Sequence, residues 1–588
     1  MTQVEAVPAT QYAVQLVGPG QLVLNTQKEV PQPGPHEILV KVESVGLCFS
    51  DVKLLKQFSD HPRKDDILSG ISPDILENCR SYVPGAKPGV PGHEVACRIV
   101  AVGDQVRRHK AGERCLVQTD YRTLLTRGSN AAFGYTFEGG LQEYVLLDER
   151  VTIEPGTGER YLIPVPEPLS ASAVALVEPW SCVENAYASS DRRTVLAGGR
   201  LLVVADAGHG VEGLMAAFDE HGGPASVVEV TAESAQRQQL GSTGLNVSHS
   251  EDVRQLADES FDDIVYFGAS PETIEVLSDK LAASGIINIV LGGESIGRRV
   301  AIGIGRIHYG LTRWIGTTGH SAADSYSVVP GSGELRPHDK VLIVGAAGPM
   351  GQMHVIRSLC TPVEGISVVG ADVDDARLEA LRRKAQPYSK RNNVPLRLVN
   401  TATEPLDERF SYQVVLVPSG RLVAAAVDNS EAGGLVDIFA GIPAHTRQEI
   451  DLDAYIERRC YMFGTSGSVI RDMKALLDKI SAGQIDTNCS VDAVSGMAGA
   501  IDGVEALEKQ TVAGKIIIYP MLHDLGLTRL ADLADRFPGV ASKLDGGQWC
   551  KDAEQELLRA GAAAGLGTTA PGTAAPQPQG TGPEGGRR

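Results

Sequence analysis

The chain contains no Cys-x-x-Cys pair, although it has nine cysteines, at 48, 79, 97, 115, 182, 360, 460, 489 and 550. Cysteines so scattered argue against a disulfide framework and point to a reducing, cytoplasmic setting. No apolar run approaches the roughly 18 residues of a membrane helix, and no basic-then-apolar segment opens the chain, so no membrane partner is expected. Positive charge is also short. Lys and Arg number 54 against 73 Asp and Glu, a formal charge of −19, which argues against a surface that clasps nucleic acid. Aromatic residues make up only 5% of the chain, while hydrophobic residues reach 43% and charged ones 22%, the balance of a globular protein rather than a disordered one. At 588 residues, several domains are expected.

The pattern along the chain divides it. Residues 11–166 carry β-branched runs between Gly and Pro turns, such as Glu37-Ile-Leu-Val-Lys-Val-Glu43 and Val95-Ala-Cys-Arg-Ile-Val-Ala-Val102. Residues 171–188 read as helical, interrupted at Pro179. Beyond 195, apolar strands alternate with amphipathic helices, as in a parallel sheet. Within that region the sequence repeats itself. Arg200-Leu-Leu-Val-Val-Ala-Asp-Ala-Gly-His-Gly210 returns as Lys340-Val-Leu-Ile-Val-Gly-Ala-Ala-Gly-Pro-Met350. Ile289-Val-Leu-Gly-Gly293 returns as Asp437-Ile-Phe-Ala-Gly441, and Ile315-Gly-Thr-Thr-Gly319 as Phe463-Gly-Thr-Ser-Gly467. Three matches in one order, at offsets of 140, 148 and 148 residues, predict two successive doubly wound units. Residues 489–520 return to β character, 521–560 suggest short amphipathic helices, and the Gly/Ala/Pro/Thr-rich stretch from Gly561 is expected to be disordered.

The chemistry concentrates in Gly46-Leu-Cys-Phe-Ser-Asp-Val-Lys53 and Gly92-His-Glu94. A catalytic zinc takes about three Cys, His or carboxylate ligands and keeps one position open. Cys48, His93 and Glu94 offer such atoms from two loops, and Glu178, in Val177-Glu-Pro179, offers a fourth. In the second doubly wound unit, strand Val341-Leu-Ile-Val344 runs into Gly345-Ala-Ala-Gly348-Pro-Met350-Gly351, a turn that lets backbone approach a pyrophosphate at a helix N-terminus. Asp372 follows about twenty residues later, where an acid binds a ribose diol. The first unit has Gly208-His-Gly-Val-Glu-Gly213, but its glycines begin late after the strand, Asp206 and Glu212 stand beside the phosphate position, and Thr231 occupies the place of Asp372. It is read as a degenerate scaffold, with a second nucleotide or a regulatory ligand as the alternative.

These residues together resemble the zinc-dependent medium-chain dehydrogenase/reductase family. The resemblance rests on Cys48 with Ser50 and Asp51, Pro91-Gly-His-Glu94, Glu178-Pro179, Gly139-Gly-Leu-Gln-Glu-Tyr-Val145 and Gly514-Lys515. It leans toward the polyol and threonine dehydrogenase branches and toward sorbose-1-phosphate reductase-like proteins, through Cys48–Lys53, Gly348-Pro-Met-Gly-Gln352 and the segment around Trp549. The resemblance implies an α/β architecture in which a GroES-like β-barrel catalytic domain (1–192, completed by 489–520) carries two consecutive Rossmann-like domains (193–332, degenerate, and 333–488, NAD-binding), a helical extension (521–560) and a disordered tail (561–588). It also implies one catalytic zinc on Cys48 and His93, with Glu94 and Glu178 completing or alternating in the shell. Asp51 would orient the histidine, Ser50 would pass on the substrate proton, and Gly345, Gly348, Met350, Gly351 and Asp372 would hold NAD(H).

Three departures from the family pattern stand out. Lys53 takes the place of a relay histidine, so it either relays protons, anchors an anionic substrate or is merely solvated. Residues 56–88 form an insertion near the site mouth, whose Arg63, Lys64 and Arg80 either meet anions or face solvent. Only Cys97 and Cys115 lie between Glu94 and Glu178, so the four-cysteine structural zinc lobe of many relatives is not expected. The expected activity is hydride transfer between NAD(H) and a secondary alcohol or ketone of a polyol, sugar or sugar phosphate, with a homo-oligomer left open. The alternatives are a zinc-free quinone-type reductase and a non-catalytic nucleotide-sensing scaffold.

Overall fold

The computed structural model describes residues 7–567. The N-terminal domain is built on strand Glu37–Leu47, which is almost wholly buried and pairs antiparallel with Glu94–Val102 and Tyr144–Asp148. Arg114–Val117 and Leu162–Pro164 extend this sheet on one side. On the other side Lys515–Ile518 pairs antiparallel with it, Ile516 opposite Leu47 and Ile518 opposite Val45. The chain thus returns to its first domain after both doubly wound units are complete. The closing segment is not all β, as its pattern suggested: helix Ala500–Glu508 lies between strands Val491–Ser495 and Lys515–Ile518. The helical stretch near 180 also differs from expectation. It breaks at Leu176, between Ala171–Ala175 and Val177–Ala188, and Pro179 sits in the first turn of the second helix. A first-turn proline costs little because that amide has no intrahelical partner.

Each half of the repeat folds as a six-stranded parallel sheet in the order third, second, first, fourth, fifth, sixth. In the first unit the two strands flanking the reversal are Arg200–Ala205 and Phe261–Phe267; in the second they are Lys340–Val344 and Phe410–Val415. Strands covered on both faces read as unbroken Val/Ile/Leu runs, which is why both halves were visible in the sequence. The units differ at their first crossover. Unit two has helix Pro349–Cys360, whereas between Ala205 and Ser226 unit one has only the 3-10 turn Met215–Ala217.

The two units join through equivalent elements. Val300–Ile302 pairs antiparallel with Gln448–Ile450, with Val300 opposite Ile450, Ala301 opposite Glu449 and Ile302 opposite Gln448. At the 148-residue offset of the repeat, this is a two-fold arrangement in which each segment meets its own counterpart, an isologous interface inside one chain. The seam is apolar: Val300, Ile302 and Trp314 share a core with Ile450, Tyr455 and Ile456. Tyr455 donates to the Trp314 carbonyl at 2.8 Å, and Arg313 reaches the Gly464 carbonyl at 3.0 Å and Asp191 at 2.7 Å.

The C-terminal helices dock on the first domain. Glu554, on helix Lys551–Ala563, accepts the amides of Ala171 and Ser172 and the Tyr519 hydroxyl, satisfying the free N-terminus of helix Ala171–Ala175. That helix runs through Gly561 to Ala563, so the disorder expected from Gly561 does not begin there; residues 568–588 lie outside the described residues. Among the described residues, no helix is long and apolar enough to cross a membrane.

Candidate active site

Strand Glu37–Leu47 ends at Cys48, which caps helix Phe49–Gln57, while His93 precedes strand Glu94–Val102 on its neighbour. The pairing of Gly46 with Glu94 brings the two loops together. Donor atoms of Cys48, His93 and Glu94 lie within 4.8 Å of one another, and they form the one such group among the described residues. Asp51 serves both loops. One oxygen accepts the Cys48 amide at 2.9 Å, and the other lies 3.2 Å from His93 Nδ1. Because a carboxylate accepts, Nδ1 carries the proton and Nε2 is left as a metal-binding lone pair.

Glu94 is fully buried. Its Oε1 pairs with Lys515, which also donates to the Leu47 carbonyl at 3.1 Å, whereas Oε2 is buried without a partner. A buried carboxylate oxygen left unpaired is costly. An orphan beside a thiol and an imidazole lone pair fits a cation. Gly46 makes room for it: a Cβ there would collide with Oε2. Glu178, in the first turn of helix Val177–Ala188, lies outside the three-residue group. Burial pushes its carboxyl up to about 7, and the like charges of Glu94 and Asp120 add to it.

Ser50 is half-buried on the same helix turn as Cys48, and Lys53 is exposed one turn further along. The insertion is more structured than its charge suggested. It holds two 3-10 turns and helix Pro73–Asn78. Lys64 is buried and donates to the Val83 and Lys87 carbonyls, bracing the loop, while Arg80 pairs with Glu37. Lys64 is thus not a solvated cation, whereas Arg80 pairs with Glu37 at an exposed position. Arg63 turns inward, 2.8 Å from Asp120 and over the Tyr135 ring.

Beside Arg63 stands His61, which the sequence reading passed over. The Tyr135 ring lies 5.0 Å from that of His61 and 5.5 Å from that of His93. His61 Nδ1 accepts the Arg63 amide at 3.2 Å, so Nε2 carries its proton. Burial, with the charges of Arg63, Lys53 and His93, lowers its pKa to about 4. A histidine eight residues past Lys53, within a loop that must fold back over the cysteine, was the available signal.

In unit two the glycine turn follows strand Lys340–Val344 directly. Gly345 has φ +87°, Gly348 caps helix Pro349–Cys360, and a side chain on Gly351 would strike the Gly345 carbonyl. Met350 is half-buried in the first turn. Asp372, ending strand Ser367–Asp372, accepts the Ala347 amide at 3.0 Å and the Val373 amide at 2.8 Å. The sequence reading also missed Arg377. Its guanidinium lies beside Gly348, with a buried Nε that has no partner. An arginine five residues after the ribose acid, in the next helix, was its only sequence trace.

The matching crevice of unit one is closed by its own side chains. The Gly208 amide is capped by Glu233 at 2.9 Å, and Asp206 accepts from Tyr266. Gln236 donates to the Asp206 and His209 carbonyls, both at 2.7 Å. Thr231, in the place of Asp372, bonds Glu229.

Residues 34–155 match the alcohol dehydrogenase GroES-like domain. The chain is 28% identical over 349 residues to the uncharacterized protein YggP of Escherichia coli K12, covering 54% of this chain and 76% of that protein. It is 26% identical over 351 residues to mannitol-1-phosphate 5-dehydrogenase of Aliivibrio fischeri, covering 54% and 77%. It is 24% identical over 348 residues to L-sorbose 1-phosphate reductase of Klebsiella pneumoniae, covering 54% and 78%.

Proposed function

Because the chain belongs to the zinc-type medium-chain dehydrogenase/reductase family, we propose that it transfers a hydride between NAD(H), bound to unit two, and a secondary alcohol or ketone of a polyol, sugar or sugar phosphate. The observation that carries this reading is the Cys48, His93 and Glu94 donor group with its unpartnered, buried Glu94 Oε2. Cys48 and His93 would hold one zinc, with Glu94 and Glu178 completing or alternating in the shell. A zinc bound there polarises the substrate oxygen as a Lewis acid. The protein's own groups do the rest. Asp51 keeps His93 in the tautomer that presents Nε2. Ser50 takes the substrate hydroxyl proton and passes it onward toward solvent. Gly345, Gly348, Met350 and Gly351 form the cofactor turn, Arg377 meets the diphosphate, and Asp372 turns from the Ala347 amide to the ribose diol.

The donor group speaks against a zinc-free reductase, and the open glycine turn of unit two against a silent scaffold. The test is metal analysis together with absorbance at 340 nm. One zinc per chain and NADH oxidation with L-sorbose 1-phosphate, mannitol 1-phosphate formation from fructose 6-phosphate, or turnover of an unphosphorylated ketose is the expected result. Active protein without zinc, or no NADH turnover with any of them, refutes the reading.

A further inference from the structure

The insertion 56–88 delivers a cation to the mouth of the metal site. Its turn Pro62–Lys64 is pinned by bonds that do not involve the Arg63 side chain. The Pro62 carbonyl accepts from Thr126 at 2.7 Å, the Arg63 carbonyl accepts from Thr136, and the Arg63 amide donates to His61 at 3.2 Å. The Arg63 guanidinium ion-pairs with Asp120 at 2.8 Å and lies 5.8 Å from the centre of the Tyr135 ring. That ring lies 5.5 Å from the imidazole of His93, so a single aromatic ring separates the cation from a candidate metal ligand. Asp120 is tied to the same place through the chain, since its neighbour Thr119 donates its hydroxyl to the His93 carbonyl at 3.0 Å.

On its other side Asp120 faces unit two. Arg122 lies 3.9 Å from the same carboxylate and donates to the Ser466 and Ser468 carbonyls at 3.0 and 3.2 Å. Those carbonyls belong to the loop that leaves the sixth strand of the unit-two sheet, Tyr461–Phe463. Gly467 lets this loop approach: its φ is +71°, and a Cβ there would lie 2.8 Å from Asp120 Oδ2 and 3.0 Å from Arg122 Nη2. Ligands of open parallel sheets bind outside such carboxyl ends. Arg63, Asp120 and Arg122 therefore stand between the metal loops and the cofactor sheet.

The charges of this cluster do not balance. One carboxylate faces two guanidiniums, which leaves a positive charge in excess. Glu178, whose charge also reaches Arg63, belongs in the reading above to the zinc shell. The donors are not exhausted either. A guanidinium carries five N–H groups in a planar fork that matches a phosphate. Arg63 turns two nitrogens toward Asp120, and its side chain stays 27% exposed while that of Asp120 is 7% exposed. The buried acid thus orients the arginine without burying it. In a chain of formal charge −19, an anionic substrate is repelled at long range, and a fixed local cation is what would hold it.

We propose that Arg63, supplied by the insertion, is a specificity residue that takes the phosphate group of a phosphorylated sugar or polyol, with Asp120 orienting its guanidinium and Arg122 adding to the positive field. This rests on the dehydrogenase reading above and narrows it to the phosphorylated members of that substrate class. It is separate from any contribution of Lys53, which is exposed on helix Phe49–Gln57 and belongs to neither loop.

The test uses the full chain loaded with zinc and NADH. Arg63→Gln removes the charge but can still donate to Asp120, whereas Arg63→Lys keeps the charge. The backbone bonds of the turn remain in both, and circular dichroism checks the fold. Binding of L-sorbose 1-phosphate and fructose 6-phosphate is measured by calorimetry. Turnover of both, and of unphosphorylated L-sorbose and fructose, is followed by absorbance at 340 nm. For the sugar phosphate that the parent binds, Arg63→Gln is expected to raise Kd and KM at least tenfold. Its kcat, its NADH affinity and its kcat/KM for the unphosphorylated sugar should change less than threefold. Arg63→Lys should bind the sugar phosphate at least threefold more tightly than Arg63→Gln. Inorganic phosphate should compete with the sugar phosphate in the parent, and at least tenfold more weakly in Arg63→Gln. Equal losses for phosphorylated and unphosphorylated sugars, equal Kd in the two variants, or an unchanged sugar-phosphate Kd in Arg63→Gln overturns the proposal and leaves Arg63 a brace of the insertion. If the parent binds a sugar phosphate without oxidising NADH, the dehydrogenase reading falls while the Kd contrast still decides the role of Arg63. If it reduces unphosphorylated sugars and binds neither phosphate, the proposal falls and the dehydrogenase reading stands.

Discussion

An alanine at position 46 would place its methyl on the Glu94 carboxylate, since Gly46 and Glu94 are direct cross-strand partners. Gly46→Ala is therefore expected to push Glu94 away from the Cys48/His93 pair and to lower bound zinc from about one per chain to less than half, measured by elemental analysis after gel filtration. Cys48→Ser should remove the zinc altogether while shifting Tm by only a few degrees, because the surrounding strands are held by apolar burial rather than by the metal. At Lys53 the expectation concerns the substrate. Lys53→Ala should raise KM for a phosphorylated sugar at least tenfold more than for its unphosphorylated counterpart. Similar losses for both would instead favour a proton-relay role. Cys48, Asp51 and His93 were legible as a motif because their spacing is local and their chemistry scarce. His61 and Arg63 were not, because a charged insertion gives no sign of whether it folds inward until Tyr135 and Asp120 are in place to receive it.

At the scale of elements, the glycine turn separates the two units. A side chain on Gly348 would meet only the Arg377 guanidinium and the Gly345 carbonyl at 3.4–3.5 Å, whereas Gly351 is locked against the Gly345 carbonyl. Gly348→Asp is thus the cleaner substitution. It puts a carboxylate into the diphosphate path and should weaken NADH binding more than a hundredfold by fluorescence titration, with the circular dichroism spectrum unchanged. The matching Gly210→Asp should leave NADH affinity within about threefold, since the Gly208 amide is already capped by Glu233 and no helix follows the turn. The opposite pattern would mean that the units have exchanged roles. The parallel strands of both units were readable as apolar runs, but the missing crossover helix of unit one was not. Its segment contains enough Ala, Leu and Met to look helical, and only the closure of the crevice by Gln236 and Glu233 shows why a helix is not needed there.

At the scale of the whole molecule, the seam between the units is an interior rather than a hinge. Trp314, 2% exposed, lies in a core drawn from both sheets. Trp314→Ala should cost about 3–5 kcal/mol and should lower the Tm of both units together. Calorimetry should show one transition, and NADH binding should fail along with it. Two separated transitions would mean that the units are independent domains. Three buried histidines lower stability in acid, while the carboxyls of Glu178 and Asp437, raised by burial to about 7 and 8, act in the opposite direction. His61 and His308, with pKa near 4, and His354, with pKa near 3, are held neutral chiefly by burial. The unfolded chain, with ordinary histidines near 6.5, binds more protons at these three positions between about pH 6.5 and 4, so their contribution to stability falls as pH drops through that window. His354→Phe should flatten part of this slope in Tm measured from pH 7 to 5.

By itself the sequence determined the β character of the first domain, the parallel strands of both units, the duplication, the donor group and the glycine turn, because each is written in local periodicity or in rare residues at short spacing. It also determined which crevice keeps an acid at the ribose position. Only the tertiary structure decided that Glu94 lies on Gly46 with one oxygen unpaired, that the insertion folds over the site, and that the two units mate about a two-fold seam. These are contacts between residues tens to hundreds of positions apart, and what fixes them is the packing of apolar faces, for which many residue choices are equivalent and so leave no mark on any single position.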